Sequence, residues 1–264
     1  MAAGTEKTHN ANDGGVSERV GAASCRQVKS RDRVAKHGEV FTAKREVNAM
    51  LDLVKHETER LDSRFLEPAC GTGNFLEEIL FRKLVIAERK AIPDGRKKPI
   101  PEMFERNSIV ALTSIYGVEL QDDNVKECRE RLYKIWNSAC LRICRKSPSD
   151  VVCKCARFIL ERNIICGNAL SMKKVDENRE DTEEPIVFSE WGFVGEYKVK
   201  RTDYRLDRML EGRYRAKKND QDTSKKTAPV QCSLFEVENA GEEGDVVKEF
   251  SILPHYARIA EYGE

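Results

Sequence analysis

The stretch that decides the fold class reads Phe65-Leu66-Glu67-Pro68-Ala69-Cys70-Gly71-Thr72-Gly73-Asn74-Phe75-Leu76. A short apolar run ends in an acid, passes through a glycine turn and continues as an apolar-periodic helix. This pattern predicts a strand, a tight loop and a helix. Gly71 and Gly73 permit backbone conformations and close approaches that a Cβ atom would block. No Gly-Lys-Ser/Thr follows, and Leu76 stands where a dinucleotide fingerprint has its third glycine. A ligand with a compact polar head and no pyrophosphate is therefore favoured, and Glu67 is placed to meet an amino group on it.

A second strand that ends in an acid is predicted at residues 115–120, which read Ile-Tyr-Gly-Val-Glu-Leu. Asp122 to Asn124 then offer capping oxygens to a helix whose apolar face comprises Val125, Cys128, Leu132, Ile135 and Trp136. In dinucleotide-type α/β folds, an acid at the end of the second strand binds both ribose hydroxyls. Glu119 stands at that place. The alternative is an acid that interacts only with the positive end of the helix dipole.

Two further elements complete the predicted ligand-binding half. Residues 163–171 predict a third strand and an exit turn that contains Asn168 and Ala169. Upstream, Val47, Met50, Leu51 and Val54 fall on one face of a helix, with Thr42 as its expected N-cap. Phe41, just before this helix, is either a core aromatic or a ligand contact.

Length and composition limit the class of protein. A chain of 264 residues with 40% hydrophobic residues holds one large domain or one domain with appendages. The net charge of +1 gives no global attraction to nucleic acid, so any such attraction comes from local patches. There is no apolar run of membrane-spanning length and no apolar signal region. The nine cysteines are an odd number and indicate a reduced, cytoplasmic protein.

The glycine stretch resembles the S-adenosylmethionine loop of DNA methyltransferases, specifically the amino-methyltransferase (M) subunits of restriction–modification systems, whose pattern is Pro-Ala-Cys-Gly-Ser/Thr-Gly-Asn/Gly-Phe/Leu. The resemblance covers about Val34 to Trp191. It implies a Rossmann-like α/β fold, a three-layer sandwich around a parallel sheet, here abbreviated at one edge. It also implies that S-adenosyl-L-methionine is the cofactor. The cofactor-binding residues that it implies are Phe41, Thr42, Glu67, Pro68, Ala69, Cys70, Gly71, Gly73, Asn74, Phe75, Glu119, Leu120, Asn168 and Ala169.

Two small departures from the family pattern lie in this half. Ala43 stands where a Phe/Tyr-Thr-Pro loop has its proline, and Asn168 stands where Gly-Asp-Ala-Leu has its acid. In the family that acid meets the adenine amino group of the cofactor. An amide oxygen can still accept this hydrogen bond, but without charge assistance.

A larger departure concerns catalysis. The family has a fourth strand that ends in Asn/Asp-Pro-Pro-Tyr/Phe, which binds the target amine and stacks on the flipped base. No such tetrapeptide occurs in this sequence. Residues 184–193 can form the strand, and they offer Glu190 as an acceptor for the amine and Trp191 as a stacking ring. These two residues are the candidate catalytic pair.

The remaining chain suggests contact with nucleic acid. Residues 195–226 are basic and interleaved with tyrosines, which is typical of a nucleic-acid footprint and also of a solvated amphipathic helix. The candidate DNA contacts are Arg201, Arg205 and Arg208. The expected organisation is a disordered leader over 1–30, a cofactor-binding domain over 31–193, and, over 194–264, this basic segment, a linker, a strand near 230–237 and a C-terminal docking element.

The spacing of Cys140, Cys144, Cys153 and Cys155 is not that of a zinc ribbon, so no metal is assigned and these residues are interpreted as half-buried helical thiols.

The leading hypothesis is a DNA adenine-N6 methyltransferase subunit. The alternatives are a catalytically inactive cofactor- or DNA-binding subunit that works with a partner such as a restriction or helicase chain, and a methyltransferase that acts on RNA or protein.

Overall fold

The computed structural model describes residues 29–37, 39–208 and 246–263. The described chain divides into two units, one that ends at Val40 and one that begins at Phe41. Several sequence-based predictions lie outside the described residues: nearly all of the leader, the part of the basic segment after residue 208, the linker, and the strand near 230–237. In the first unit, helix α1 spans Arg31–His37, and Arg33 forms an ion pair with Glu39.

The second unit contains both helices and strands, as expected of an α/β protein. Its helices are α2 Lys44–Leu53, α3 Lys55–Thr58, α4 Asn74–Lys90, α5 Pro101–Thr113, α6 Asp122–Cys144, α7 Asp150–Asn163 and a 3-10 helix at Tyr256–Gly263. Its strands are β1 Phe65–Glu67, β2 Ile115–Glu119, β3 Ile164–Cys166, β4 Lys173–Val175, β5 Asp181–Pro185, β6 Val187–Val194, β7 Lys198–Arg205 and β8 Val246–Glu249.

The first three strands form a parallel sheet in the order β1-β2-β3, with β2 in the centre. Leu66 lies opposite Tyr116, and Gly117 lies opposite Ile164. The strands occur at the positions that the sequence predicts. Because all three run the same way, the segments that come after them meet at one edge, the carboxyl end of the sheet.

Alternation along β2 separates two cores. Ile115 belongs to the large cluster that includes the buried faces of α4 to α7. Tyr116 and Val118 belong to a second cluster, where they pack with Ile186, Phe188 and Leu206. The rings of Tyr116 and Phe188 meet edge-on, with centroids 5.3 Å apart. Among the described residues, the second face of the sheet is therefore covered by chain from β6 and its neighbours.

The prediction of a fourth parallel strand at residues 184–193 is wrong. Residues 187–194 form β6, which pairs antiparallel with β7 along its whole length, from Val187 opposite Arg205 to Val194 opposite Lys198. β8 extends this into a separate antiparallel sheet. The run Val-Phe-Ser-Glu-Trp-Gly-Phe-Val alternates in burial along much of its length, and β7 begins after a short turn, so a local hairpin satisfies its backbone hydrogen bonds.

Helix α4 is the apolar-periodic helix predicted after the glycine turn, and its buried face includes Leu76, Ile79, Leu80 and Leu84. The caps differ from expectation. Helix α2 begins after Ala43 and α6 begins after Gln121, and neither N-cap side chain accepts a backbone hydrogen bond. Met50 is 54% exposed, so the buried face of α2 is narrower than its apolar pattern suggests.

The last described segment packs against α7. Ile259 is buried, and the Tyr256 hydroxyl donates a hydrogen bond to Glu105 Oε1 at 3.0 Å. Within the described ranges, all cysteines are free thiols, no three metal-ligating side chains cluster, and no helix is long and apolar enough to cross a bilayer.

A buried lysine fixes the chain that enters the sheet. Lys83 on α4 is fully buried, and its Nζ donates to the carbonyl oxygens of Arg60, Leu61 and Ser63 at 2.8, 3.0 and 2.6 Å. Burial lowers the pKa of Lys83 to about 7. The three carbonyls lie just before β1, so this side chain holds the approach to the first strand.

We expect Lys83→Met to lower the free energy of unfolding by about 2–4 kcal/mol, because three carbonyls, those of Leu61 and Ser63 buried and that of Arg60 partly buried, would lose their donor. Chemical denaturation measures this loss. Lys90→Met is the matched control, since Lys90 is an exposed lysine at the end of the same helix. Equal stability of the two variants would contradict the structural role of Lys83.

Candidate cofactor site

The glycine loop turns sharply between β1 and α4. Gly71 and Gly73 both have positive φ, 53° and 92°, which favours glycine. The Gly73 amide donates to Cys70 O at 2.8 Å, and the Cys70 amide donates to Val118 O at 2.9 Å. A Cβ on Gly73 would lie 2.6 Å from Cys128 Sγ. The glycine pattern is thus required by both backbone angle and contact with α6.

Glu119 is joined to this loop. Its Oε2 accepts a hydrogen bond from the Gly71 amide at 2.9 Å, and its Oε1 accepts one from the Gln121 amide at 3.0 Å. The carboxylate therefore lies between the exits of β1 and β2, at the carboxyl end of the sheet. Oε2 keeps a lone pair that can accept from a ligand hydroxyl, whereas Oε1 also accepts from Asn124 Nδ2 at 3.5 Å, a long contact that a second ligand hydroxyl would replace.

Phe41 and Thr42 lie against the same loop. A Cβ on Gly71 would lie 3.2 Å from Phe41 Cε1, so the ring covers the glycine. The Asn74 side-chain nitrogen donates to Thr42 O at 3.0 Å. Phe75 is half-buried at the start of α4 and packs against the large core. The structure thus brings together two sequence segments that the family resemblance places in one site.

Glu67 ends β1 beside the exposed Pro68 and Ala69. Its Oε1 accepts from the Ala69 amide at 3.4 Å, and burial raises the pKa of Glu67 despite this bond. A half-buried carboxylate whose pKa is raised by burial is a favourable place for a ligand ammonium, because the opposite charge would compensate the lost hydration.

The exit from β3 lies beside the exits of β1 and β2 at the same end of the sheet. Asn168 Oδ1 accepts from the Leu170 amide at 3.0 Å, and Asn168 Nδ2 donates to Asp181 Oδ1 at 3.0 Å. Ala169 packs beside the cluster around Tyr116. Leu120 is 36% exposed at the exit of β2. All of the predicted cofactor-binding residues therefore lie in one of two places. They follow β1, β2 or β3, including the start of α4, or they belong to the segment Phe41-Thr42 that lies over the glycine loop.

Sequence reasoning missed Arg131. From α6 its guanidinium donates to Thr72 O at 2.8 Å, to Thr72 Oγ1 at 2.9 Å and to Asn74 Oδ1 at 3.0 Å, and it pairs with Glu77. It thereby braces the glycine loop. In the sequence Arg131 is one of several arginines on the polar face of a helix. No pattern in its neighbouring residues indicates a contact with residues 72–77.

The candidate catalytic pair, Glu190 and Trp191, does not lie near the glycine loop. Trp191 is 4% exposed, and its Nε1 donates to Asn163 Oδ1 at 3.0 Å. Glu190 accepts from Arg64 at 2.5 Å. Asn163 and Arg64 immediately precede β3 and β1, so both contacts lie at the amino end of the sheet. The structure contradicts the catalytic assignment because the glycine loop lies at the opposite end.

The candidate DNA contacts differ from one another. Arg201 is buried, and it donates to both carboxylate oxygens of Asp203 at 2.8 and 2.7 Å and to Ser189 Oγ at 3.0 Å. Its assignment to DNA is wrong, since it is a core ion pair. Arg205 forms an ion pair with Asp207 and is half-buried, while Arg208 is exposed. A role in DNA binding stays a prediction for these two.

A family model described as the MmeI DNA-methyltransferase domain matches residues 41–222, more than half of the chain. The chain belongs to the MmeI DNA-methyltransferase domain family. This places it among the DNA methyltransferases of restriction–modification systems. The comparisons with curated proteins and with solved structures find no match. The MmeI-family match begins at Phe41 and so includes the segment over the loop, the glycine loop, Glu119 and Asn168.

The contact between the glycine loop and α6 can be tested with Gly73→Ala. We expect a loss of about 2–4 kcal/mol in unfolding free energy, because the new methyl would combine backbone strain with a clash on Cys128. Thermal and chemical denaturation measure the loss. Gly95→Ala separates the two causes, since Gly95 also has positive φ, 77°, but has open space around its Cβ position.

The clash itself is tested by adding Cys128→Ala. After that change the nearest remaining atom would be the Cβ of residue 128 at 3.5 Å, an ordinary contact. The double variant should recover about 1–2 kcal/mol relative to Gly73→Ala alone. Strictly additive losses in the two variants would show that the close approach is not the cause.

Proposed function

We propose that this chain is an S-adenosylmethionine-dependent subunit of a DNA adenine-N6 methyltransferase, with a Rossmann-like cofactor half. The observation that carries the proposal is the joining of Phe41, Gly71 and Glu119 at the carboxyl end of one parallel sheet. Membership of the MmeI DNA-methyltransferase domain family supports it. The adenine target, the cofactor and the site residues are parts of the proposal.

The residues present have the chemistry that this cofactor needs. The Glu119 carboxylate would accept from the two ribose hydroxyls, the half-buried Glu67 carboxylate would meet the ammonium of the methionine end, and Asn168 lies where the adenine edge would be. Phe41 would shield the methionine end from water. When bound, S-adenosylmethionine supplies an electrophilic methyl carbon on a positively charged sulfur.

A specific observation favours a second form of the proposal, in which a partner chain completes catalysis. The sequence has no Asn/Asp-Pro-Pro-Tyr/Phe, and the substitutes Glu190 and Trp191 lie at the far end of the sheet. In this form the present chain binds the cofactor and contributes to DNA binding, and another subunit supplies the acceptor for the target amine and the stacking ring. A restriction or helicase subunit of the same system is the proposed partner.

Cofactor binding is tested by titrating S-adenosylmethionine into the protein calorimetrically. We expect saturable binding that Glu119→Gln weakens by at least about tenfold, because the neutral amide cannot accept two hydroxyl bonds with charge assistance. Glu127→Gln is the control, since Glu127 is exposed on the adjacent helix α6. Absence of binding by the unaltered protein would overturn the proposed function.

Methyl transfer is tested with isotopically labelled cofactor and DNA, and the products are identified by nucleoside mass spectrometry. We expect cofactor binding by the chain alone, and N6-methyladenine only after a partner subunit that carries Asn-Pro-Pro-Tyr is added. Transfer by the chain alone would reject the need for a partner. Label in RNA or in protein, with none in DNA, would contradict the DNA substrate.

A further inference from the structure

The hairpin of β4 and β5 is anchored on the exit turn of β3. The Asn168 amide donates to Lys173 O at 2.9 Å, and the amide of Ile186, just after the hairpin, donates to Met172 O at 2.8 Å. A Cβ on Gly167 would lie 2.9 Å from Lys173 O and 2.8 Å from Ile186 Cδ1. Backbone contacts therefore set the position of the hairpin, and glycine at 167 permits the close approach.

This placement brings Asp181, the first residue of β5, to the side chain of Asn168. Asn168 Nδ2 donates to Asp181 Oδ1 at 3.0 Å, while Asn168 Oδ1 accepts from the Leu170 amide at 3.0 Å. The two contacts use opposite ends of one carboxamide, so they fix its orientation. They also leave the exposed carboxylate of Asp181 with acceptor capacity that Asn168 does not use.

We propose that Asp181 is an adenine-binding residue of the cofactor site. Its carboxylate, held against Asn168, accepts a hydrogen bond from the exocyclic amine of the adenine ring and supplies the negative charge that Asn168 lacks. Charge-assisted acceptors bind an amine more strongly than a neutral amide oxygen does. This inference rests on the proposed function and extends it, because it names a specificity residue on a hairpin.

A purely structural contact would have a different consequence. If Asp181 only attaches the hairpin to Asn168, its loss would change stability and leave nucleoside selectivity unchanged. Selectivity is therefore the informative measurement. S-adenosylhomocysteine carries the 6-amino group and an N1 acceptor, whereas S-inosylhomocysteine carries a 6-carbonyl oxygen and an N1–H donor. The contribution of Asp181 is therefore the change in preference between the unaltered protein and the variant, because both proteins meet the same pair of nucleosides.

The first experiment measures the affinities for both nucleosides by calorimetry. We expect the unaltered protein to prefer S-adenosylhomocysteine by at least about tenfold. Asp181→Asn should reduce that preference to within about threefold. Glu183→Gln, which also neutralises an acid on β5, is the matched control and should keep the full preference, because the Glu183 side chain is 98% exposed and forms its ion pair with Lys173.

The second experiment moves the negative charge from residue 181 to residue 168. Asn168→Asp alone would place two carboxylates where a 3.0 Å hydrogen bond now joins the residues, so repulsion should weaken S-adenosylhomocysteine binding by about tenfold. Combining Asn168→Asp with Asp181→Asn restores one acid and one amide, and the affinity should return to within about threefold of the original.

The outcomes separate the two proposals. One outcome is that Asp181→Asn keeps the original selectivity while Glu119→Gln still weakens the binding of both nucleosides. That outcome would overturn the role of Asp181 and leave the proposed function standing. A shift in thermal stability alone, without a change in selectivity, would likewise reduce Asp181 to a structural contact. Failure of the unaltered protein to bind either nucleoside would overturn the proposed function, and the role of Asp181 with it.

Discussion

The hydrogen bond from the Gly71 amide to Glu119 is the interaction on which the arrangement of the site depends. It joins the loop after β1 to the end of β2, and it requires the loop to turn with positive φ at Gly71 and Gly73. The same turn permits Phe41 to lie over the loop and Cys128 to pack against it. A side chain at either glycine would be strained by the positive φ and would press on Phe41 or Cys128, so both positions require glycine.

The two ends of the parallel sheet have different chemistry. The carboxyl end has partly exposed carboxylates, Glu67 and Glu119, with acceptor capacity left for a ligand. At the amino end, polar side chains bind one another or the backbone: Lys83 binds three carbonyls, Trp191 binds Asn163, and Arg64 binds Glu190. Buried polar groups of this kind stabilise a fold when they are satisfied, and they leave little capacity for a substrate.

The hairpin β6–β7 crosses the second face of the sheet and reaches the amino end at Trp191 and at Arg201, which lies opposite it. Arg201 and Asp203 form a buried ion pair against the ring of Phe250, whose centroid lies 4.3 Å from the Arg201 guanidinium carbon. A segment that looks basic in sequence thus places its first arginine in the core. Among the described residues, the parallel sheet of β1, β2 and β3 is built without a strand that would carry the proline motif.

The sequence by itself determined the three parallel strands and the loop between β1 and α4. Strand ends marked by Glu67 and Glu119, the glycine loop and the periodicity of α4 are local signals, since backbone angles and helical faces depend on neighbouring residues. These predict the parallel strands and nearly every residue at the carboxyl end. The finer assignment of the cofactor remains a prediction.

Tertiary structure alone decided the rest, because it depends on contacts between residues far apart in sequence. The sequence analysis expects residues 184–193 to form a fourth strand of the parallel sheet, but the antiparallel partner β7 determined the outcome. The burial of Trp191 and Arg201, the bracing of the loop by Arg131, and the approach of Asp181 to Asn168 each join separate elements. No local pattern encodes such pairings, so acidic, basic and aromatic residues that look available in the sequence prove to be partners of one another in the fold.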